Sequence, residues 1–210
     1  MSEINKEISE SIKKDIERKK AIQSFKKFKL QAEDHYNRHP EDIKYHDFKL
    51  NEIFDVIEEG MFVKTENLEE GNIPLVVSMS IKDGIARYVK KHDKLFKGHA
   101  ITINKFGNTT VRDYDFFADK GVIILQNKMF NKSVLFYIEG LIMTEILLSK
   151  KKYNYKNTFK LKDIDKITIK LPAFFSIKER KYKPDLIATE YLEKQALKKI
   201  LNAVFNETQK

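Results

Sequence analysis

Glu179-Arg180-Lys181 has the Glu-x-Lys spacing found in Mg²⁺ nucleases, with Asp163 and Asp165 upstream as candidate second carboxylates. Carboxylates that hold Mg²⁺ beside a lysine are what phosphodiester hydrolysis requires. The triplet lies in a charged connector rather than a strand, so a solvated surface segment explains it more simply. His35-x-x-x-His39 is spaced i, i+4, but Pro40 follows directly and no third ligand suggests itself. We therefore expect no metal there. The chain has no cysteine, which excludes disulfides, thiolate metal sites and cysteine nucleophiles. Seven glycines and no Pro-Pro pair leave out a methyltransferase's Gly-rich cofactor loop and its Asn/Asp-Pro-Pro-aromatic motif. Neither a Gly-x-x-x-x-Gly-Lys phosphate loop nor a nucleophile elbow is present. These patterns point to a non-catalytic chain with no cofactor.

Recognition of a polyanion is better provided for. The net charge of +9 is unevenly spread. Residues 150–183 hold 12 Lys and Arg against 3 Asp and Glu, whereas residues 1–47 hold 11 against 10. Tyr153, Tyr155, Phe159 and Tyr182 interleave with the basic tract, as in a nucleic-acid footprint. A Lys-rich solvated surface is the competing explanation. Reading duplex DNA takes phosphate anchors together with side chains that reach base edges. The polar loops offer Lys82, Lys105, Asn108, Thr109 and Arg112, and the basic tract offers Lys152, Tyr153, Tyr155, Lys156 and Asn157. Asn suits adenine, Arg or Lys suits guanine, and tyrosine can stack or pack against sugar. Taken singly, each is also an ordinary turn or surface residue.

The elements that must position these residues follow from periodicity. Ile4, Ile8, Ile12 and Ile16, then Ile22, Phe25, Phe28 and Ala32, predict a helix over residues 3–34 whose apolar stripe needs a partner surface. Residues 35–47 form a polar connection containing Pro40. Strands are expected at 61–65, 73–78, 85–89, 99–104, 109–112 and 121–126, with Pro74 at a strand start or sheet edge. Gly107-Asn108 predicts a turn. Residues 131–149 switch to helical spacing, with Asn131 or Ser133 as N-cap and a largely apolar circumference that suits burial against a sheet. Ile167-x-Ile169-x-Leu171 predicts a last strand ended by Pro172, and Asp185 caps a helix over 186–207. The expected fold is α+β: one mixed, twisted sheet with a packed helix, flanked by long N- and C-terminal helices. No signal peptide or membrane span is expected, which suggests a soluble cytoplasmic protein.

One ordered set of short motifs carries a resemblance. Gly71-x-Ile73-Pro74-Leu75-Val76-Val77-x-x-Ser80 is followed by Gly84-Ile85, Tyr88 and Gly98-x-x-Ile101-Thr102-Ile103-x-x-x-Gly107. Phe116-Phe117-Ala118 then leads into Val122 to Leu125, and Lys151 to Lys156 into Leu161, Ile164, Ile167, Ile169 and Leu171-Pro172. This order resembles a target recognition domain of restriction–modification specificity subunits, of type I and the related type IIB and IIG systems. The resemblance implies a helical spacer at 1–47, a recognition domain at 48–172, and a connector with a C-terminal helix at 173–210. It also implies double-stranded DNA and a modification methyltransferase, or methyltransferase–nuclease, as partners. The usual type I pattern has two recognition domains, and a single one suggests a homodimer through the terminal helices, reading a symmetric interrupted site. The alternatives are a small Mg²⁺ nuclease built on Glu179 and Lys181, or a protein–protein module that has kept the recognition fold.

Overall fold

The computed structural model describes residues 2–62, 64, 68–79, 82–90, 94–149 and 153–207. Contacts divide the chain into two compact units, residues 1–44 and 45–210. The first unit is helix α1 (Ser2–Arg38) followed by a 3-10 turn at Pro40–Asp42. The helix end is closed locally: His35 Nε2 lies 2.9 Å from Asp42 Oδ2, and Arg38 pairs with Asp34 one turn back. Ile22, Phe25 and Phe28, spaced three apart along one side of the helix, are exposed.

The second unit is built around a four-stranded antiparallel sheet in the order β2 (Val56–Glu59), β8 (Val122–Gln126), β5 (Ala100–Asn104), β6 (Thr109–Arg112). Alternation along β5 and β8 sends Ile101, Ile103, Ile123 and Leu125 to one face. There they meet Leu50 and Ile53 of the one-turn helix α2 (Leu50–Ile53) and Leu135, Ile138, Ile142 and Ile146 of helix α3 (Lys132–Leu148). Ala100, Val122 and Ile124 face the other way, against Val76, Phe96 and Phe116. A sheet covered on both faces needs unbroken apolar runs, which is why β5 and β8 read as Ala-Ile-Thr-Ile and Val-Ile-Ile-Leu. Each fully buried Ile or Leu in this core contributes about 1.5–3 kcal/mol. As expected, α3 is a core helix, and Asn131 caps it by accepting from Val134 N at 3.1 Å.

Two smaller sheets flank this layer, so the strands form three sheets rather than the single one expected; the α+β class and the flanking helices stand. In one, β3 (Glu70–Val76) pairs antiparallel with β4 (Ile85–Val89) and parallel with β7 (Phe117–Ala118). Pro74 is tolerated within β3 because β7 pairs only with Leu75 and Val76, leaving Pro74 with β4 alone. In the other, β1 (Tyr45–Lys49) and β10 (Lys181–Pro184) both pair with β9 (Thr168–Ser176). Here the structure departs from the sequence reading: β9 runs through Pro172 to Ser176 and turns back as a hairpin. Proline costs the ladder one N–H only, and the Pro172 carbonyl accepts from Asp185 N at 2.8 Å. Helix α4 (Leu186–Glu207) begins there, with Asp185 Oδ1 accepting from Ile187 N and Ala188 N at 3.1 and 3.0 Å. Of the strand expected at 61–65, Met61 forms an isolated bridge with Asp119, and residues 63 and 65–67 lie outside the described set.

Candidate nucleic-acid interface

Asn104 ends β5 and organises the loop end of the sheet. Its Oδ1 accepts from Phe106 N (2.9 Å) and Asn108 N (3.1 Å), while its Nδ2 donates to Met79 O (3.0 Å). One buried amide thus shapes the 104–108 turn and ties it to the loop after β3. Gly107 has φ +82°, and a Cβ there would lie 2.9 Å from Ile146 Cγ2 and 3.3 Å from a Tyr153 ring carbon, so glycine is required by both conformation and space. Ser78 Oγ donates to Gly121 O at 2.7 Å, which brings in the turn before β8. Phe159 N donates to Lys105 O at 2.7 Å, drawing the basic tract onto the same end.

The consequence is that two candidate stretches, distant in sequence, form one surface. Lys105 Nζ sits 5.3 Å from the Phe106 ring centroid and 5.7 Å from that of Tyr155. Phe106 and Tyr155 meet edge to face at 4.9 Å, and Tyr155 remains 84% exposed. Asn154 Oδ1 accepts from Lys156 N (2.9 Å) and Asn157 N (3.0 Å), an Asx turn that presents Lys156 to solvent. Asn108 is exposed on the neighbouring turn. Tyr153 is half-buried, its ring 5.0 Å from Phe159, and serves as the floor of this surface. Lys82 belongs to the 3-10 turn Lys82–Gly84, but its side chain lies outside the described set, as does all of Lys152.

Arg112 requires a correction. Expected to reach DNA, it is instead 2% exposed. Its Nε donates to Thr102 Oγ1 at 3.2 Å, Nη1 to Tyr114 Oη at 2.9 Å, and Nη2 to the Asp83 carbonyl. With its guanidinium spent on internal acceptors, Arg112 fastens the Asp83-Gly84 turn to the main sheet. Thr109 also turns inward: its Oγ1 is buried without a formed hydrogen bond. Glu139 on α3 lies on the same side, its carboxyl pushed up by burial against the opposing positive charge of Arg112. Asp83, Thr102, Asn104, Asn108, Thr109 and Arg112 line a polar cavity of about 280 Å³ between the β3–β4 turn and the β5–β6 ladder.

The nuclease candidates have other duties. Glu179 is held between Lys183 and Lys181, and the Lys183 hydrogen bond pulls its carboxyl below the usual range. Asp163 is buried and caps the 3-10 helix Leu161–Lys166, accepting from Lys160 N (3.0 Å) and Lys166 Nζ (3.1 Å). Among the described residues no three His, Cys, Asp or Glu gather as a metal site, and no helix is long and apolar enough to cross a membrane.

Loops from four connections thus gather at one end of a two-faced antiparallel sheet. The family of the type I restriction modification DNA specificity domain matches residues 41–201, and the chain belongs to it. It is similar to the specificity subunit S.BcgI of a type II restriction enzyme from Heyndrickxia coagulans, 27% identical over 155 residues, 70% of this chain and 44% of that protein. The fold resembles the S subunit of a type I restriction-modification system from M. genitalium (TM-score 0.51, 19% identity, 83% of this chain and 46% of that one). It resembles equally a chain from a structural account of complex assembly and conformational transition of the type I R-M system (TM-score 0.51, 16% identity, 90% and 51%). The chain spans about half the length of these relatives.

Proposed function

We propose that the chain is the sequence-reading half of a restriction–modification specificity subunit, with residues 48–172 as target recognition domain. The loop end faces duplex DNA through Lys105, Asn108, Tyr153, Tyr155, Lys156 and Asn157, joined by Lys82 and Lys152 on sequence grounds. The observation that carries this reading is the meeting of the 104–108 turn with the 153–159 segment, where half-buried Lys105 and exposed Tyr155 and Lys156 share one surface. Cations beside an exposed aromatic supply phosphate anchoring and stacking together. The chain itself is non-catalytic and cytoplasmic, and a modification methyltransferase or methyltransferase–nuclease subunit docks on the flanking helices. Two copies, joined through those helices, read the halves of an interrupted site.

The test is selection from random-sequence duplex DNA at several salt concentrations, followed by sequencing of what is retained. We expect a short enriched motif and a log K that falls linearly with log salt. Retention without enrichment would remove sequence reading, and no retention at low salt would remove DNA binding altogether.

A further inference from the structure

The β9–β10 hairpin lies outside the loop end just described, and its surface has an unusual composition. From Phe174 to Tyr182 every residue except half-buried Ser176 is exposed, and His46 of β1 is stacked on the Tyr182 ring. Large apolar groups sit on both strands: Phe174 is 49%, Phe175 53%, Tyr182 46% and the tip residue Ile177 85% exposed. Phe175 pairs with Tyr182 across the ladder, and Tyr182 in turn stacks on His46 at 4.2 Å, which stiffens the ribbon. The charge is one-sided. Lys178, Arg180, Lys181 and Lys183 oppose Glu179 alone, and Glu179 is already held by Lys181 and Lys183. Among the described residues Lys178 and Arg180 have no ion pair. Arg180 occupies φ +51°, where glycine or asparagine would be at ease, so an arginine is kept at some conformational cost.

We propose that this hairpin is a second DNA contact, a wedge that enters a groove and deforms the duplex. The inference rests on the DNA-binding reading above. A two-stranded ribbon fits a DNA groove, where its exposed side chains reach base edges and the flanking phosphates. Ile177 at the tip is the kind of apolar side chain that pries a base step apart, and Lys178 and Arg180 flank it to hold the phosphates on either side. Net charge of the opposite sign to DNA, exposed on a ribbon with an apolar tip, is what favours duplex DNA over a protein surface as occupant.

The experiment compares the full chain with Ile177→Ser and with Lys178→Ala/Arg180→Ala on the DNA site enriched by the wild type. Binding is followed against salt, and duplex bending by energy transfer between end-attached dyes. All substituted residues are exposed, and matched thermal melts check folding. Ile177→Ser should weaken binding about 5–10-fold with an unchanged salt slope and should abolish the bend-dependent signal. The double substitution should flatten the log K–log salt slope by about 2. Wild-type binding with unchanged affinity, slope and bending in both variants overturns the wedge and leaves the loop end as the DNA surface. Loss of co-purification with a partner protein, with DNA binding intact, also overturns it. Failure of the wild type itself to bind DNA would instead sink the parent reading.

Discussion

The loop end and the β9–β10 hairpin are both polar-to-basic surfaces of one unit, yet they are held in opposite ways. At the loop end, side chains do the holding: Asn104 and Ser78 bond backbone groups of three connections, and Arg112 holds one of them, the β3–β4 connection, a second time at Asp83. The hairpin is held by four ladder pairs and by the stack of His46 on Tyr182, and its other side chains from Phe174 to Lys181 are largely exposed. A surface braced by buried polar groups keeps a fixed shape before any ligand arrives, which lowers the ordering cost of binding. A bare ribbon keeps freedom to adjust and pays that cost on contact. The first arrangement suits reading positions in a fixed register; the second suits following a deformable one.

Substitutions can break this contrast, beginning with the deepest brace. Arg112→Ala strips donors from Thr102, Tyr114 and the Asp83 carbonyl, and should cost on the order of 2–4 kcal/mol by urea denaturation. Hydrogen exchange should then speed up around 82–85 while the amides of 174–183 keep their native rates; equal loosening of both would show that the two regions are not separately held. Asn104→Ala should cost about 1–3 kcal/mol and blur DNA preference more than total affinity, because three bonds around the turn disappear together. Selection repeated with that variant reads the effect directly.

Glu139 sharpens the contrast through pH. Burial raises its folded-state pKa, so the folded chain disfavours its ionised form. The full stability is therefore present below the unfolded pKa and falls as pH rises through the raised folded value. Glu139→Gln should remove this slope, adding a few degrees to the melting temperature at pH 8 and none at pH 4. An equal gain at both pH values would assign the effect to packing. The smallest stability effect belongs to Lys156→Ala, which should change stability by less than about 0.5 kcal/mol and reduce the salt slope of DNA binding by about 1. A large loss of stability there would mean Lys156 is part of the brace.

How much of this was legible in the sequence depended on how local the cause was. The caps at Asn131 and Asp185, the Gly107 turn and the core face of α3 are set within a few residues, and each was readable. Arg112 was not, because its burial depends on acceptors at Thr102 and Asp83, 10 and 29 positions away. Nothing in Thr-Thr-Val-Arg-Asp marks that arginine as internal. The hairpin was hidden by a local rule applied too strictly: proline ends many strands, but Pro172 loses only an N–H and its carbonyl finds Asp185. The juxtaposition of Lys105 with Tyr155 was also invisible, since the bond that creates it, Phe159 N to Lys105 O, joins two backbones without any sequence signature.

Asp185 is the only residue between β10 and α4, and its N–H is anchored to Pro172 on β9. The helix that follows has 22 residues and, at about 1.5 Å per residue, reaches roughly 33 Å. A junction pinned this tightly behaves as the fulcrum of a lever. A tilt of about 10° between sheet and helix at Asp185 would swing the far end of α4 by roughly 6 Å, more than a full helical turn. Ala188 to Tyr191 are buried and Asn131 donates to Glu190, so the first turns of α4 are fastened to the core and the direction of the whole helix is set at its base.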